Sequence, residues 1–254
     1  YVASKVTLCV LIKKFLDFSK RVTLLIPLCH IKSELFQFTF LPIIWLVIFL
    51  PNSATGKNSM PKFESSISPI PAKTQKIMEK YTWRPGCPVP LRDLAEVKLS
   101  YWGFDQKVHQ GILIVNKSLA TEVVSIFKAA YYHQFPIERM ETMVTFKGND
   151  DAAMAVNNTS AFNCRAVTGK PGVFSQHSYG RAIDINTLIN PYVKANLVLP
   201  PGGKKYVDRK KFFPGKITNG SFIYNEFIKR GWDWGGNWHN LQDYQHFEKK
   251  ICEQ

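Results

Sequence analysis

The chain has 254 residues, of which 33 are Lys or Arg and 19 are Asp or Glu, for a formal net charge of +14. A hydrophobic share of 45% with 20% charged residues is ordinary for a globular chain and argues against a mostly disordered, collagen-like or polytopic membrane protein. Five cysteines over this length are too sparse for a disulfide scaffold, and the basic balance favours anionic surroundings without choosing among nucleic acid, anionic lipid and an acidic cell wall.

The first segment differs from the rest. Lys13, Lys14, Lys20, Arg21 and Lys32 lead into an apolar stretch from Phe38 to Leu50, and the small residues Ser53, Ala54 and Gly56 follow. A positive flank, an apolar core and a small-residue exit make the layout of a secretory signal peptide. The apolar core is shorter than the roughly 20 residues that span a bilayer. Residues 1–59 are therefore expected to be a signal-like leader. The protein is expected to be exported to the periplasm or cell wall, with a membrane tether only if the leader is retained. Residues 60–84 are rich in Ser, Pro and Lys, lack an apolar period, and read as a linker or loose arm.

Residues 85–254 read as one domain. Gly111 to Val115 is a short apolar run that suits a buried strand. Ser118 can cap the helix that follows, in which Ala120, Val123, Val124, Phe127 and Tyr131 recur at helical spacing. Phe135-Pro136 ends it. Glu141 to Phe146 resembles another strand, and residues 148–172 look like a loop. Ala182 to Asn186 alternates, so Ile183 and Ile185 face one way and Ala182, Asp184 and Asn186 the other. Residues 190–216, with four prolines, form an irregular excursion. Ser221 to Arg230 suits a helix with Phe222, Ile223 and Phe227 inward, stopped by Gly231, and Tyr244 to Glu248 a final strand. Strands and helices mix without regular alternation, which predicts an α+β fold: a small single domain with a central antiparallel sheet flanked by helices.

Three residues of this domain carry the chemistry: His177, Asp184 and His246. Gly180 lets the chain turn between the first two, so the histidine comes from a loop and the aspartate from the strand after it. An ionised carboxylate among buried isoleucines is costly unless it is paired or bound to metal. Two imidazoles and a carboxylate make a three-ligand zinc site with the fourth position open to water, whose pKa zinc lowers toward ~7. Asp243, three residues before His246, is placed to serve that water as a general base. Arg165 is the candidate to hold a substrate carboxylate or a developing oxyanion.

At these residues the sequence resembles a known family. Ser175-Gln176-His177-Ser178-Tyr179-Gly180-Arg181-Ala182-Ile183-Asp184 is similar to the S-x-H-x-x-G-x-A-x-D motif of the zinc D-alanyl-D-alanine carboxypeptidases and L-alanyl-D-glutamate endopeptidases of bacterial cell walls. Gly231 to Trp238 and Asp243-Tyr244-Gln245-His246-Phe247 are similar to that family's C-terminal G-W-x-W-G-G-x-W and D-x-x-H-F elements. Tyr101 to Asp105 and Asn157 to Arg165 also resemble it, so the likeness spans roughly residues 85–250. It implies a small α+β domain around an antiparallel sheet. It also implies Zn²⁺ held by His177, Asp184 and His246, Asp243 as base, and Arg165 and Ser175 at the substrate or oxyanion. The implied substrate is the stem peptide of peptidoglycan. Asp rather than Glu at the base position tilts the resemblance toward L-alanyl-D-glutamate cleavage.

A non-catalytic cell-wall-binding module with a structural zinc is the alternative. A nucleic-acid partner is not expected, because no basic stripe interleaved with aromatics is present. His109 and His133 read as structural residues. His239 reads as a loop residue, with a hydrogen bond to the site as its other role. Trp232, Trp234 and Trp238 suit either a groove for glycan and peptide or packing around Gly235-Gly236. Asp150-Asp151 reads as a turn. Asn157-Asn158-Thr159 fits a glycosylation acceptor. Cys87, Cys164 and Cys252 permit one bridge in any of three pairings, and Cys164 reads as a buried thiol beside Phe162.

Overall fold

The structure, a computed structural model, describes residues 60–250. The leader expected over residues 1–59, and Cys252, lie outside the described residues. In chain order the elements are β1 (Ser65–Pro69), α1 (Ala72–Tyr81), β2 (Leu94–Trp102), β3 (Val108–Asn116), α2 (Ala120–Tyr132), β4 (Arg139–Met140), α3 (Asp150–Ala155) and β5 (Asn158–Thr159). There follow β6 (Ala166–Val167), β7 (Lys170–Phe174), β8 (Ala182–Asp184), β9 (Tyr192–Lys194), β10 (Leu197–Leu199), α4 (Phe222–Ile228), β11 (Asp233–Trp234), β12 (Gln242–Asp243) and β13 (His246–Glu248). The fold is mixed α+β, as the pattern predicts. Its strands form several small sheets: β1-β2-β3, β10-β9-β12 and β11-β13-β8, each antiparallel, with the pairs β4-β5 and β6-β7. Among the described residues no helix is long and apolar enough to cross a membrane.

The β2–β3 hairpin is covered on both faces, and its period of two shows why. Ala95, Val97, Leu99, Leu113 and Val115 face α2, whose stripe of Ala120, Val123, Ile126, Phe127, Ala130 and Tyr131 is buried against them. Leu94 and Ile114 face the other way, into a second cluster with Ile70, Met78, Val89, Phe162 and Cys164. The first core runs on through Ile183, Ile185, Phe227, Trp232, Trp234 and Phe247. It therefore backs the β8–β13 pair that carries the candidate ligands.

Residues 60–84 are a correction. They are neither linker nor loose arm: β1 pairs with β2 along its whole length, Phe63 enters the main core, and Met78 of α1 is 1% exposed. A single edge strand and a helix with one deeply buried residue leave too little apolar period to be seen in sequence. Glu141 to Phe146 is irregular and then turns, with the strand confined to Arg139–Met140; residues 148–172 contain α3, β5, β6 and the start of β7. Ser118 does not cap α2: it lies in a 3₁₀ turn, Lys117–Leu119, that leads into the helix and is itself capped by Asn116, whose side chain accepts from the Ser118 amide and hydroxyl. Cys164 is not a free thiol. It is bonded to Cys87, with the two Cα atoms 6.1 Å apart. Asn157 and Asn158 are buried, the latter completely, so neither offers an amide for a glycan.

Candidate metal centre

His177 sits in a 3₁₀ turn, Gln176–Tyr179. The Ser175 hydroxyl caps that turn by accepting from the His177 amide at 3.3 Å. Gly180 closes it at φ +66°. A Cβ there would lie 2.5 Å from the Asn116 amide nitrogen, so only glycine lets the turn press against the end of β3. The chain then enters β8, where Asp184 stands directly opposite His246 of β13. The Asp184 amide and carbonyl bond Ser160 on the far side, so the Asp184–His246 pair is not joined by backbone hydrogen bonds and its side chains approach closely.

The three groups converge, with their ligand atoms all within 4.8 Å of one another. His177 Nε2 lies 3.1 Å from one Asp184 oxygen, His246 Nδ1 lies 2.9 Å from the other, and the two nitrogens are 3.2 Å apart. Donors at about 2.1 Å from a tetrahedral ion stand roughly 3.4 Å apart, so this spacing fits a small divalent cation. The outer nitrogens give a second fit. His177 Nδ1–H donates to the Ala161 carbonyl at 2.5 Å, and His246 Nε2–H donates to Glu248 at 3.2 Å. With each outer N–H engaged, a ring in its neutral form presents its bare lone pair inward, the arrangement that metal-bound histidines adopt.

Charge favours the same conclusion. Burial opposes ionisation of Asp184, but the neighbouring His177 charge and hydrogen bonds from both histidines outweigh it and hold the carboxyl well below its usual range. Burial also opposes charge on His246, yet hydrogen bonds to Asp184 and Glu248 push it up to about 10. The pocket thus attracts positive charge, and a proton and a metal ion compete for it.

A cleft of about 550 Å³ opens over this group, lined by His177, His246, Asp243, Arg165 and Ser175. Asp243 comes from β12, whose partner is Tyr192 of β9. Gly235 lies so close to it that a Cβ would be 2.8 Å from the Asp243 Cβ. One Asp243 carboxylate oxygen is buried without a hydrogen-bond partner. Burial raises its pKa to about 7, with His246 and Arg165 pulling the other way. Arg165 is ion-paired with Asp150 through its Nε. Its backbone is fixed by Ser178, whose hydroxyl accepts from the Arg165 amide and donates to the Arg165 carbonyl. A second cavity, about 370 Å³, adjoins the first and shares Arg165, Thr168, Tyr192 and Asp243 with it.

All six expected residues therefore meet in one place. The tryptophans divide: Trp232 and Trp234 are core, while Trp238 lines the cleft with its ring 5.5 Å from that of His246. His239 is exposed, His109 pairs with Asp105, and His133 stacks on Phe222. Glu248 is a residue the sequence reading passed over, and Asp150, read there as part of a turn, instead opens α3 and pairs with Arg165. Glu248 had a signal, since a residue two along a strand from His246 shares its face. Asp150 had none, because nothing local ties it to a residue fifteen positions on.

Fold and site together define a class: a mixed α+β domain whose buried two-histidine, one-carboxylate group can bind a metal ion at the floor of an open cleft. Residues 168–249 match the family model described as D-alanyl-D-alanine carboxypeptidase, the peptidase family that the motifs resemble. The matched segment carries His177, Asp184, Asp243 and His246, and Arg165 lies just before it. No curated protein and no solved structure shows significant similarity to the chain.

Proposed function

We propose that the protein is a zinc metallopeptidase that hydrolyses the stem peptide of bacterial peptidoglycan. The observation that carries this reading is the inward-facing set of His177 Nε2, His246 Nδ1 and the Asp184 carboxylate beside a cleft that His177, His246 and Asp243 line. Zinc held by that set would supply Lewis acidity, polarising an amide carbonyl and acidifying water. Asp243 takes a proton from the attacking water and returns it to the leaving amine. A carboxyl that burial raises to about 7 is matched to both halves of that task near neutral pH. Arg165, oriented by Asp150, faces the carbonyl oxygen as charge develops on it.

The paired cavities support a cut inside a peptide. Arg165 and Asp243 stand between them, so substrate has room on both sides of the reacting bond. That favours the L-alanyl-D-glutamate endopeptidase type over the D-alanyl-D-alanine carboxypeptidase type. The Cys87–Cys164 bridge supports an exported protein, at the periplasm or cell wall, because such bonds persist in oxidising compartments.

Isolated peptidoglycan incubated with the zinc-loaded protein, followed by mass spectrometry of the muropeptides, tests the proposal. A cut after L-alanine is expected; released D-alanine would assign the carboxypeptidase type. Binding to the wall with no new amino termini would sink the hydrolase and leave a wall-binding module with structural zinc.

A further inference from the structure

The cleft has a feature that the hydrolytic chemistry does not use. Two hairpins reach its mouth, and each places a lysine beside its turn. Lys170 opens β7 just after the Thr168-Gly169 turn, and Lys194 ends β9 just before Ala195, which has φ +49°. Both side chains are exposed, both line the cleft, and neither forms an ion pair among the described residues.

Apart from Asp243, the other charges of the cleft are already matched. Asp184 and Glu248 are held by the histidines, Arg165 by Asp150, and Lys250 lies 3.6 Å from Glu248. Lys170 and Lys194 therefore leave uncompensated positive charge at the mouth. The same cleft also has an apolar share of lining: Val173 and Phe174 of β7 are 52% and 37% exposed, and Trp238 and Leu241 line the same space.

We propose that Lys170 and Lys194 form a carboxylate-recognition subsite, which makes the site selective for peptides bearing an acidic group next to the bond to be cut. The apolar share of the lining takes the aliphatic stretch between that group and the reacting amide. The inference deepens the peptidase reading and rests on it for the identity of the substrate. Each exposed lysine–carboxylate pair is worth about 1.4- to fivefold in binding, so two acting on one carboxylate give roughly two- to 25-fold, with about tenfold in the middle of that range. The effect fades as salt rises, since the contacts are solvent-accessible.

The test uses the full zinc-loaded chain and two synthetic stem-type peptides that differ only at the α-carboxyl of D-glutamate, free in one and amidated in the other. At low ionic strength kcat/KM is expected to favour the free carboxylate about tenfold. In the double variant Lys170→Gln, Lys194→Gln that ratio falls toward one. Equal turnover of the two peptides by the parent, or an unchanged ratio in the double variant, overturns the subsite. If neither peptide is cleaved, the peptidase reading fails and calorimetric binding decides the subsite separately. A carboxylate preference that the double variant loses upholds it, whereas equal affinity or no binding of both peptides overturns it.

Discussion

An imidazole offers a cation the lone pair of the nitrogen that lacks the proton, and a hydrogen bond from its other N–H fixes which nitrogen that is. His177 and His246 solve this differently, one through the Ala161 carbonyl and one through the Glu248 carboxylate. The two partners are not equal in what mutation can reveal, because only Glu248 is a side chain. Glu248→Ala should weaken metal binding by about 10–100-fold, the usual cost of losing such an outer partner. Asp243→Asn should do the reverse. It keeps the size of the side chain and lies outside the three-ligand set, so metal affinity should stay near that of the parent while turnover falls by ~10²–10⁴. Competition with a chromophoric chelator and a peptide-hydrolysis assay separate the two effects. Loss of metal from Asp243→Asn would make Asp243 a ligand rather than a base. Sequence made the three candidate ligands and the candidate base legible because each falls in a motif of fixed spacing. The Arg165–Asp150 pair was hidden because its partners meet only through folding.

Elements bring those residues together, and the shortest turn among them is the most demanding. Gly180 must be left-handed and must also lie against the β3 terminus. Gly180→Ala adds a Cβ 2.5 Å from the Asn116 nitrogen, on top of the ~1–2 kcal/mol cost of a left-handed conformation in a residue with a side chain. The expected outcome is a lower melting temperature together with a substoichiometric metal content, since His177 is carried on the displaced turn. A variant that folds as well as the parent and binds one full equivalent of metal would show that the turn tolerates the change. The end of α4 gives a pH-dependent case. Burial opposes ionisation of Glu226, but hydrogen bonds from Lys229 and Arg230 outweigh it and lower its pKa. A carboxyl with a lowered folded pKa contributes stability that is full above its ordinary value near 4.5 and lost as pH falls through the lowered one. Glu226→Gln should therefore melt below the parent at pH 7, and the gap should close in acid; a gap that persists at pH 2 would assign the loss to packing. Elements with a strong period, such as α2 and β8, could be read from sequence. β1 and α1 could not, because each is stabilised by what it docks against rather than by a pattern of its own.

At the scale of the molecule the two apolar clusters lie on opposite faces of one hairpin, and the Cys87–Cys164 bond belongs to the smaller of them. It links the segment after α1 to the residue next to Arg165. The sequence narrowed the bridge to three pairings and no further, because pairing is decided by which chain segments cross in space. With the cysteines 77 positions apart, the chain-entropy argument assigns the bond about 4.5 kcal/mol. For a domain of this size that corresponds to a change in melting temperature on the order of 10 °C. Cys87→Ser, or treatment of the parent with a reductant, should produce a loss of that order. The two routes should agree, because both open the same bond. The effect should also reach the site. Cys164 donates its amide to Thr82 and is followed at once by Arg165, so releasing the bridge loosens the backbone that carries the guanidinium. Turnover measured at 25 °C, well below either melting point, should then fall while metal content holds, since none of the three ligands lies on the 162–165 segment. A melting temperature unmoved by reduction would mean that the smaller cluster holds α1 in place without the bond. An unmoved turnover alongside a lowered melting temperature would mean that Ser178 and Asp150 suffice to position Arg165.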